Sequence, residues 1–399
     1  VFPKVDSGQV RLHVTAPPGT RLEETERWFS RVEARIRELV PAEERVSILD
    51  QLGMPSGYNL AITDSSTVSS ADGEVLLTLA SKRRRTTADT VRLLREDLPQ
   101  RFPELTFYFQ PADVVTQILN FGLPSPVDVQ VSGPKPDETF KIAKAIEADL
   151  RRLPGAVDVH LHQVVSTPRL HVDVDRIRSA EVGLTERDVA QNLLLVVSTS
   201  SQVNPTFWTD PVSGNAYLVA IQVPQHRIAS TEDIASLSLA SPKGPQSLGD
   251  LATLSRKTTP VFVTHTNVQP TFDVRADVAN ADLGTLSSGV DKLVAKHSEK
   301  LPPGTTITVR GQADSMKEGF ASLALGLLLA SVLVYGLMVM NFQSWKHPFI
   351  ILMALPGAGV GLILALFATG TTFSIPSLMG AITSAVSYTH LTLPTSDLV

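Results

Sequence analysis

Residues 10–49, VRLHVTAPPGTRLEETERWFSRVEARIRELVPAEERVSIL, contain the pattern that decides the fold. Apolar and polar residues alternate over 10–16, which indicates a half-buried strand. Thr20 and Glu23 have the spacing of a capping box, and apolar residues at helical intervals follow them. A further apolar segment before residue 50 completes a strand–helix–strand unit.

The same pattern recurs at 74–109, 127–162 and 272–310, so four units are predicted in all. Within the second unit we expect Pro99 to end the helix. One unit leaves a sheet face uncovered, so two must pair into a two-layer sandwich of the ferredoxin type, a split βαβ arrangement. The predicted fold class is therefore an α+β region of paired βαβ (ferredoxin-like) subdomains.

Units one and two are contiguous, whereas units three and four are separated by residues 167–262. The pattern there differs: a strand at 169–174 is followed by a short helix that starts at Thr185 with Asp188 as its capping partner. The sequence therefore predicts a domain inserted into the second sandwich.

Residues 320–340, FASLALGLLLASVLVYGLMVM, carry no charge and are long enough to cross a bilayer core of about 30 Å. A second such stretch covers 348–368, and a third begins at 374–384. Because Lys346 lies in the first connector, we expect that connector on the cytoplasmic side and residues 1 to about 318 in the periplasm. All-α transmembrane helices thus follow the α+β region.

The chain begins with Val1, and neither a signal peptide nor a first span precedes the exported region, so we expect an internal fragment of a longer protein. The last residues, 385–399, do not continue the third span. We expect this tail to be artefactual.

Composition excludes several function classes. A net charge of -5 offers no basic surface for nucleic acid, and the lack of cysteine excludes thiolate metal sites and thiol nucleophiles. No nucleotide-binding loop, HExxH or GxSxG motif is present, so we expect neither an enzyme nor a cofactor. The spans hold no Asp, Glu, Lys or Arg, which places proton coupling outside this chain.

Several strand residues allow more than one interpretation. His160 and His162 share a strand face, as do His171, Asp173 and Asp175, so a metal site across that hairpin is conceivable. A solvated polar face is the favoured interpretation. We therefore predict no metal site.

Four segments carry a resemblance to a known family. The chain resembles the carboxy-terminal half of an RND (resistance-nodulation-division) efflux permease of the hydrophobe/amphiphile type over residues 1 to about 384. The segments are VFPKVDSGQVRLHVTAPPGTRLEETE at 1–26, FQPADVVTQILNFGLPSPVDVQVSGP at 109–134, VGLTERDVAQNLL at 182–194 and NFQSWKHPFIILMALPGAGVG at 341–361.

The resemblance implies a proton-driven antiporter in the bacterial inner membrane. Its expected partners are the amino-terminal half of the same permease, two further copies in a homotrimer, a periplasmic adaptor protein and an outer-membrane channel. By the same resemblance, residues 1–122 form the first porter subdomain and 126–163 with 268–312 the second. Residues 167–262 would form the docking domain.

The resemblance also implies site residues, which fall into four groups. Those at the cleft between the porter subdomains are Arg11, His13, His160 and His162, and those lining the drug pocket are Phe107 and Phe109. The switch loop comprises Gly53, Pro55, Ser56, Gly57 and Asn59, with Met54 and Tyr58 as its substrate contacts. The docking hairpin comprises Ser241, Pro242, Lys243, Gly244, Pro245 and Gln246.

Aromatic and methionine side chains suit substrates held by apolar burial, so we expect export of small hydrophobic or amphiphilic compounds. One alternative is a heavy-metal exporter of the same superfamily, disfavoured here because no methionine cluster is visible. The other is a membrane-anchored periplasmic binding or scaffold module.

Overall fold

The computed structural model describes residues 6–53, 67, 69–120, 122–224, 227–228, 230–353, 355–369, 377, 379–380 and 383. The chain has a mixed α+β fold. It divides into two compact units, of which one is Val165–Val261 and the other combines the segments before and after it.

The first sandwich contains a four-stranded antiparallel sheet with two helices on one face, and its strands lie in the order β2 (Arg45–Leu52), β3 (Asp72–Leu79), β1 (Gln9–Thr15) and β4 (Thr106–Gln110). Side chains of the helices, such as Phe29 and Leu98, pack on the apolar face of β1, where Leu12 and Val14 lie. This arrangement confirms the predicted pairing of the first two units. Its elements are β1 (Gln9–Thr15), α1 (Leu22–Leu39), β2 (Arg45–Leu52), β3 (Asp72–Leu79), α2 (Thr87–Arg101) and β4 (Thr106–Gln110), with the short helix α3 (Val114–Leu119) after them.

Two local predictions for these helices are wrong. The hydroxyl of Thr20 does not cap α1, because it donates to the carbonyl of Pro17 at 2.6 Å and closes the preceding turn. Pro99 does not end α2, which continues to Arg101. A proline in the last turn removes only one helical hydrogen bond, and the Phe102 N–H still donates to the Leu98 carbonyl at 2.9 Å.

The second sandwich repeats this topology. Its strands lie in the order β6 (Ala156–Leu161), β14 (Gln269–Val278), β5 (Val127–Ser132) and β15 (Thr306–Arg310), which correspond to β2, β3, β1 and β4 of the first sheet. Strand β13 (Thr264–Thr266) also pairs with β14. Val127, Val129 and Val131 of its central strand are fully buried. The elements are β5 (Val127–Ser132), α4 (Pro136–Leu150), β6 (Ala156–Leu161), β13 (Thr264–Thr266), β14 (Gln269–Val278), α10 (Leu283–Ser298) and β15 (Thr306–Arg310).

The unit Val165–Val261 has its own small core around Val189 and Leu248. The predicted capping box of α6 is confirmed, since Thr185 and Asp188 bond reciprocally. Strand β12 was not predicted. The elements are β7 (Thr167–Val174), α5 (Arg176–Glu181), α6 (Glu186–Val197), α7 (Ser200–Val203), β8 (Thr206–Thr209), β9 (Ala216–Val219), α8 (Thr231–Ala235), β10 (Ser238–Leu239), β11 (Gln246–Ser247), α9 (Leu248–Leu251) and β12 (Ala252–Thr259).

After β15 the chain is helical: α11 (Gln312–Phe342), α12 (Lys346–Leu352) and α13 (Leu355–Thr369). Among the described residues, only Ala321–Phe342 is a helix long and apolar enough to cross a membrane. The stretch predicted at 348–368 is divided between α12 and α13, whose apolar part is Gly359–Thr369. The second and third spans therefore stay predictions, and the tail 385–399 lies outside the described residues.

Candidate functional site

One line of polar side chains crosses the sheets of the first and the second sandwich. Strand register places each residue directly beside the next within a sheet, and a ring contact joins the two sheets. We call this line the polar row. In order, it consists of Glu74, His13, Tyr108, His160, Arg275, Asp128 and Arg310.

Three stacked rings form the centre of the polar row. The ring centroids of His13 and Tyr108 lie 4.4 Å apart with planes 17° from parallel. Those of Tyr108 and His160 lie 3.8 Å apart with planes 15° from parallel. Because His13 and Tyr108 belong to the first sandwich and His160 to the second, this stack is a contact between the sandwiches.

His13 lies between two carboxylates. Its Nε2 is 3.7 Å from Oδ1 of Asp72, and its Nδ1 is 3.7 Å from Oε1 of Glu74. Burial by itself lowers the pKa of His13, but Asp72 and Glu74 outweigh burial and hold that pKa above its ordinary value. Arg11 neutralises part of this charge, since its Nε and Nη2 donate to Glu74 at 3.0 and 3.1 Å.

His160 is held in one tautomer. Its Nδ1 lies 2.8 Å from the carbonyl oxygen of Asp158. A carbonyl can only accept, so Nδ1 carries the proton of the neutral ring and Nε2 keeps a lone pair. Burial lowers the pKa of His160 to about 3, which keeps the ring neutral. In the described part of the chain, Nε2 has no hydrogen-bond partner.

A second acidic group adjoins the far end of the polar row. Asp128 is completely buried, and Arg275 is 4.0 Å from both its carboxylate and that of Asp273. Burial and the charge of Asp273 raise the pKa of Asp128. Oδ1 of Asp128 and Oδ1 of Asp273 find no hydrogen-bond donor among the described residues.

A different contact joins the sandwiches close to the stack. Arg95 of α2 donates to both oxygens of Asp158, at 2.9 and 2.7 Å, and to Asp277 at 3.2 Å. The backbone N–H of Phe109 donates to the same Asp158 carboxylate at 3.1 Å. We call Arg95, Asp158, Asp277 and the Phe109 N–H the clasp.

The residues predicted at the cleft fall partly on the polar row. His13 and His160 belong to it, and Arg11 binds its first member. His162 follows β6, and its ring centroid is 5.0 Å from that of Phe262. Burial lowers the pKa of His162 well below its ordinary value. The role of these four residues in substrate binding stays a prediction.

The predicted pocket residues Phe107 and Phe109 point the other way. Phe109 belongs to the apolar core of the first sandwich, and Phe107 packs against that core. Tyr108 between them reaches the polar row instead. Strand alternation separates these two directions, but it does not reveal which face meets the second sandwich.

Most of the predicted switch loop lies outside the described residues, namely Met54, Pro55, Ser56, Gly57, Tyr58 and Asn59. Gly53 is described, and it has a left-handed φ of 71° with its N–H donating to the Asp72 carbonyl at 2.8 Å. Gly53 therefore bonds to the main chain of Asp72, the residue whose carboxylate flanks His13.

The predicted docking hairpin joins β10 to β11 in the unit Val165–Val261. Ser241 donates through its hydroxyl to the Gly244 carbonyl at 2.7 Å, and Gly244 has a left-handed φ of 104°. Pro242, Lys243, Pro245 and Gln246 complete the hairpin sequence. Its contact with a channel stays a prediction.

Sequence reasoning missed Asp72, Glu74 and Asp158 as partners of the histidines, and Asp128 as the partner of Arg275. Polar residues at alternate positions of β3 and β5 were the available signal, but the pairing of distant strands was not visible. Across the described ranges, no group of three or more His, Asp or Glu side chains is arranged to hold a metal ion. This includes the pattern of His171, Asp173 and Asp175.

Comparisons with known proteins give a consistent family. Residues 1–385 match the family described as AcrB/AcrD/AcrF. A solved structure described as a heavy metal efflux pump, crystal form II, aligns with a TM-score of 0.81 at 24% identity, covering 96% of this chain and 38% of that one. At this identity the likeness shows the fold alone.

Two curated relatives match most of the chain, and the description of the second one names metals. The chain is 26% identical over 376 residues to "Protein HelA" of Legionella pneumophila, which covers 92% of the chain and 34% of the relative. It is 23% identical over 391 residues to the "Cobalt-zinc-cadmium resistance protein CzcA" of Cupriavidus metallidurans, covering 96% of the chain and 36% of the relative. The chain thus spans about a third of the length of these relatives.

Proposed function

Because the chain belongs to the AcrB/AcrD/AcrF family of RND permeases, we propose that it is part of an efflux permease for divalent heavy-metal cations. The sequence favoured hydrophobic or amphiphilic substrates, with metal export as the alternative. The description of CzcA, and those of other relatives as cation efflux system proteins, favour that alternative.

The polar row supplies the chemistry for this proposal. The observation that carries it is that imidazoles of the two sandwiches, His13 and His160, lie on opposite faces of Tyr108. Imidazole nitrogen with carboxylate oxygen suits borderline divalent cations such as Zn²⁺, Co²⁺ and Ni²⁺. The chain has no cysteine, so thiolate ligands are excluded within it.

In this arrangement the donors contact one another instead of a cation. Asp72 and Glu74 favour a proton on His13, and Tyr108 separates the two imidazoles. A cation that binds both imidazoles would take the place of Tyr108 between them. It would also displace the proton of His13, because only neutral imidazole ligates metal. The carboxylates of Asp72 and Glu74 would then balance its charge.

The remaining properties of the complete protein are part of the same proposal. We infer an inner-membrane trimer that works with a periplasmic adaptor and an outer-membrane channel, as in RND permeases of this family. The proton-coupling carboxylates would lie in the part of the relatives' length that this chain does not cover. The proposal assigns no enzymatic activity to the chain.

Calorimetric titration of the full chain in detergent with ZnCl₂ tests the proposal. His13→Gln and His160→Gln each remove an imidazole, and we expect Zn²⁺ binding to weaken at least about tenfold. Loss of a residue that only hydrogen-bonds to a metal ligand already weakens metal binding by about 10- to 100-fold. His297→Gln is the matched control. His297 is also an imidazole bonded to a carboxylate, Asp149 at 3.1 Å, but lies outside the polar row.

Equal Zn²⁺ affinity in all four proteins would contradict the proposal. A parent chain that binds a fluorescent amphiphile but no Zn²⁺ would restore the substrate class that the sequence favoured.

A further inference from the structure

Strand β6 contains an irregularity at Asp158. Arg275 of β14 pairs with His160 of β6, and Asp277 of β14 pairs with Val157 of β6. Between these two pairs β14 moves by two residues, whereas β6 moves by three. The extra residue makes a β-bulge, and Asp158 there has a left-handed φ of 54°. Such a conformation is uncommon outside glycine, and it redirects the residue away from the regular alternation of the strand.

The bulge gives Asp158 two bonding directions at once. Its carboxylate faces the first sandwich and accepts from Arg95 and from the Phe109 N–H. Its carbonyl oxygen turns along its own strand and accepts from Nδ1 of His160 at 2.8 Å. One residue therefore binds the first sandwich through its side chain and orients a histidine through its main chain.

The bond between Arg95 and the Asp158 carboxylate also restrains the Asp158 carbonyl that bonds to His160. A bidentate arginine–carboxylate pair fixes a carboxylate in both distance and plane. In a left-handed bulge residue, a fixed side chain also limits rotation of the adjoining peptide, which carries the oxygen bonded to His160. The clasp can thus hold the acceptor that determines where the proton of His160 lies.

We propose that Asp158 is a positioning residue for His160: docking of the first sandwich through Arg95 holds the Asp158 carbonyl on Nδ1, so that Nε2 presents its lone pair to the row. Metal-binding histidines are commonly oriented by an acceptor on the other ring nitrogen. The cation as the recipient of this lone pair rests on the proposed function. The control of the tautomer does not.

Nitrogen NMR of the full chain, ¹⁵N-labelled at histidine and free of metal at pH 7.5, tests the inference. The His160 signals are assigned by their loss in His160→Gln. The parent should show a protonated Nδ1 and an unprotonated Nε2. Arg95→Gln and Asp158→Asn both break the bidentate pair, and we expect each to convert His160 to a tautomer mixture. Arg95→Lys, which keeps the charge and one bond, should restore part of the parent spectrum.

Arg35→Gln is the matched control. Arg35 makes an equivalent bidentate contact to Asp97, at 2.9 and 2.6 Å, within the first sandwich and away from His160. Its loss should leave the His160 tautomer as in the parent. An unchanged tautomer in Arg95→Gln and Asp158→Asn overturns the inference. Asp158→Asn retains the backbone carbonyl and tolerates the left-handed conformation, so the test survives if Arg95→Gln does not fold.

A ZnCl₂ titration of the same samples separates this inference from the proposed function. With both correct, Arg95→Gln and Asp158→Asn weaken Zn²⁺ binding about 10- to 100-fold, and Arg35→Gln does not. If the parent binds no Zn²⁺ while the tautomer still changes in the two variants, the inference stands and the proposed cation function fails.

Discussion

The clasp and the polar row both join the two sandwiches, but the clasp has short hydrogen bonds and the polar row has long ion pairs. In the clasp, Arg95, Asp158 and the Phe109 N–H meet at 2.7 to 3.1 Å, with the carboxylate accepting on both oxygens. Between members of the polar row, the ion pairs His13–Glu74 and Arg275–Asp128 are 3.7 and 4.0 Å long. Within the described chain, His160 Nε2 and Asp128 Oδ1 lack hydrogen-bond partners there.

This difference indicates separate tasks for the two contacts. Buried polar groups are nearly always hydrogen-bonded, since each unmet group costs about 1–3 kcal/mol. A well-bonded contact such as the clasp therefore stabilises the docked arrangement. An under-bonded cluster such as the polar row destabilises it locally, and it has donor atoms available for a ligand. The clasp positions the sandwiches, and the row is where chemistry can occur.

The largest expected effect comes from breaking the clasp. Arg95→Ala leaves the Asp158 carboxylate, whose side chain is 6% exposed, without its cation. We expect a loss of about 3 kcal/mol in the free energy of unfolding, because an unpaired charge stays buried. Guanidinium unfolding of the full chain in detergent, followed by circular dichroism, measures it.

Arg35→Ala is the control for that loss. Its pair with Asp97 is 31% and 23% exposed, and we expect a cost below about 1 kcal/mol. Equal losses in the two variants would remove the distinction between the clasp and an ordinary surface pair.

A smaller effect of opposite sign is expected in the polar row. Burial and Asp273 raise the pKa of Asp128 from 3.8 to about 7. Its contribution to stability is complete below pH 3.8 and is lost as the pH rises to about 7, because in this range the unfolded carboxyl releases its proton while the buried one keeps it. Asp128→Asn removes this loss, so at pH 7 and without metal we expect a gain of about 1–2 kcal/mol over the parent.

Unfolding at pH 4 and pH 7 measures this effect, and Asp149→Asn is the control of opposite sign. Hydrogen bonds from Lys296 and His297 lower the pKa of Asp149, so its contribution is present above pH 3.8 and is lost as the pH falls. Asp149→Asn should therefore be neutral or destabilising at pH 7. A loss of stability in Asp128→Asn at pH 7 would mean that Asp128 is well paired after all.

The smallest effect is expected from the stack itself. Tyr108→Leu removes the aromatic contacts with His13 and His160, and we expect a cost of about 1 kcal/mol. Tyr108→Phe keeps both ring contacts and should stay within about 0.5 kcal/mol of the parent. If Tyr108→Leu costs as much as Arg95→Ala, the row holds the sandwiches as firmly as the clasp does.

Much of the fold was predictable because its signals are local. Alternation over 10–16 and a helical period in the next segment depend only on neighbours in the chain, and both sandwiches follow from repeating that unit. The errors were local as well. Thr20 had the spacing of a cap, but its hydroxyl bonds to Pro17 in the preceding turn. Pro99 lies in the last turn of α2, too near the end of that helix to terminate it. Strand β12 was missed because its polar residues occupy both faces.

The candidate site was less predictable. Composition and alternation placed Arg11 and His13 on a polar face, and the resemblance placed His13 and His160 at one cleft. Neither indicated Asp158, which lies 63 residues from Arg95 in the chain. Nor did they indicate that Tyr108, and not its phenylalanine neighbours, reaches the second sandwich.

The sequence by itself therefore determined the period of each segment, the repeated strand–helix–strand unit and the apolar helix Ala321–Phe342, because these depend on spacing along the chain. The tertiary structure decided which polar groups meet. Register between distant strands put Glu74 and Tyr108 beside His13, and one bulge turned Asp158 toward Arg95. A polar face is encoded locally, but the partner of each buried charge depends on how strands far apart in the chain are aligned.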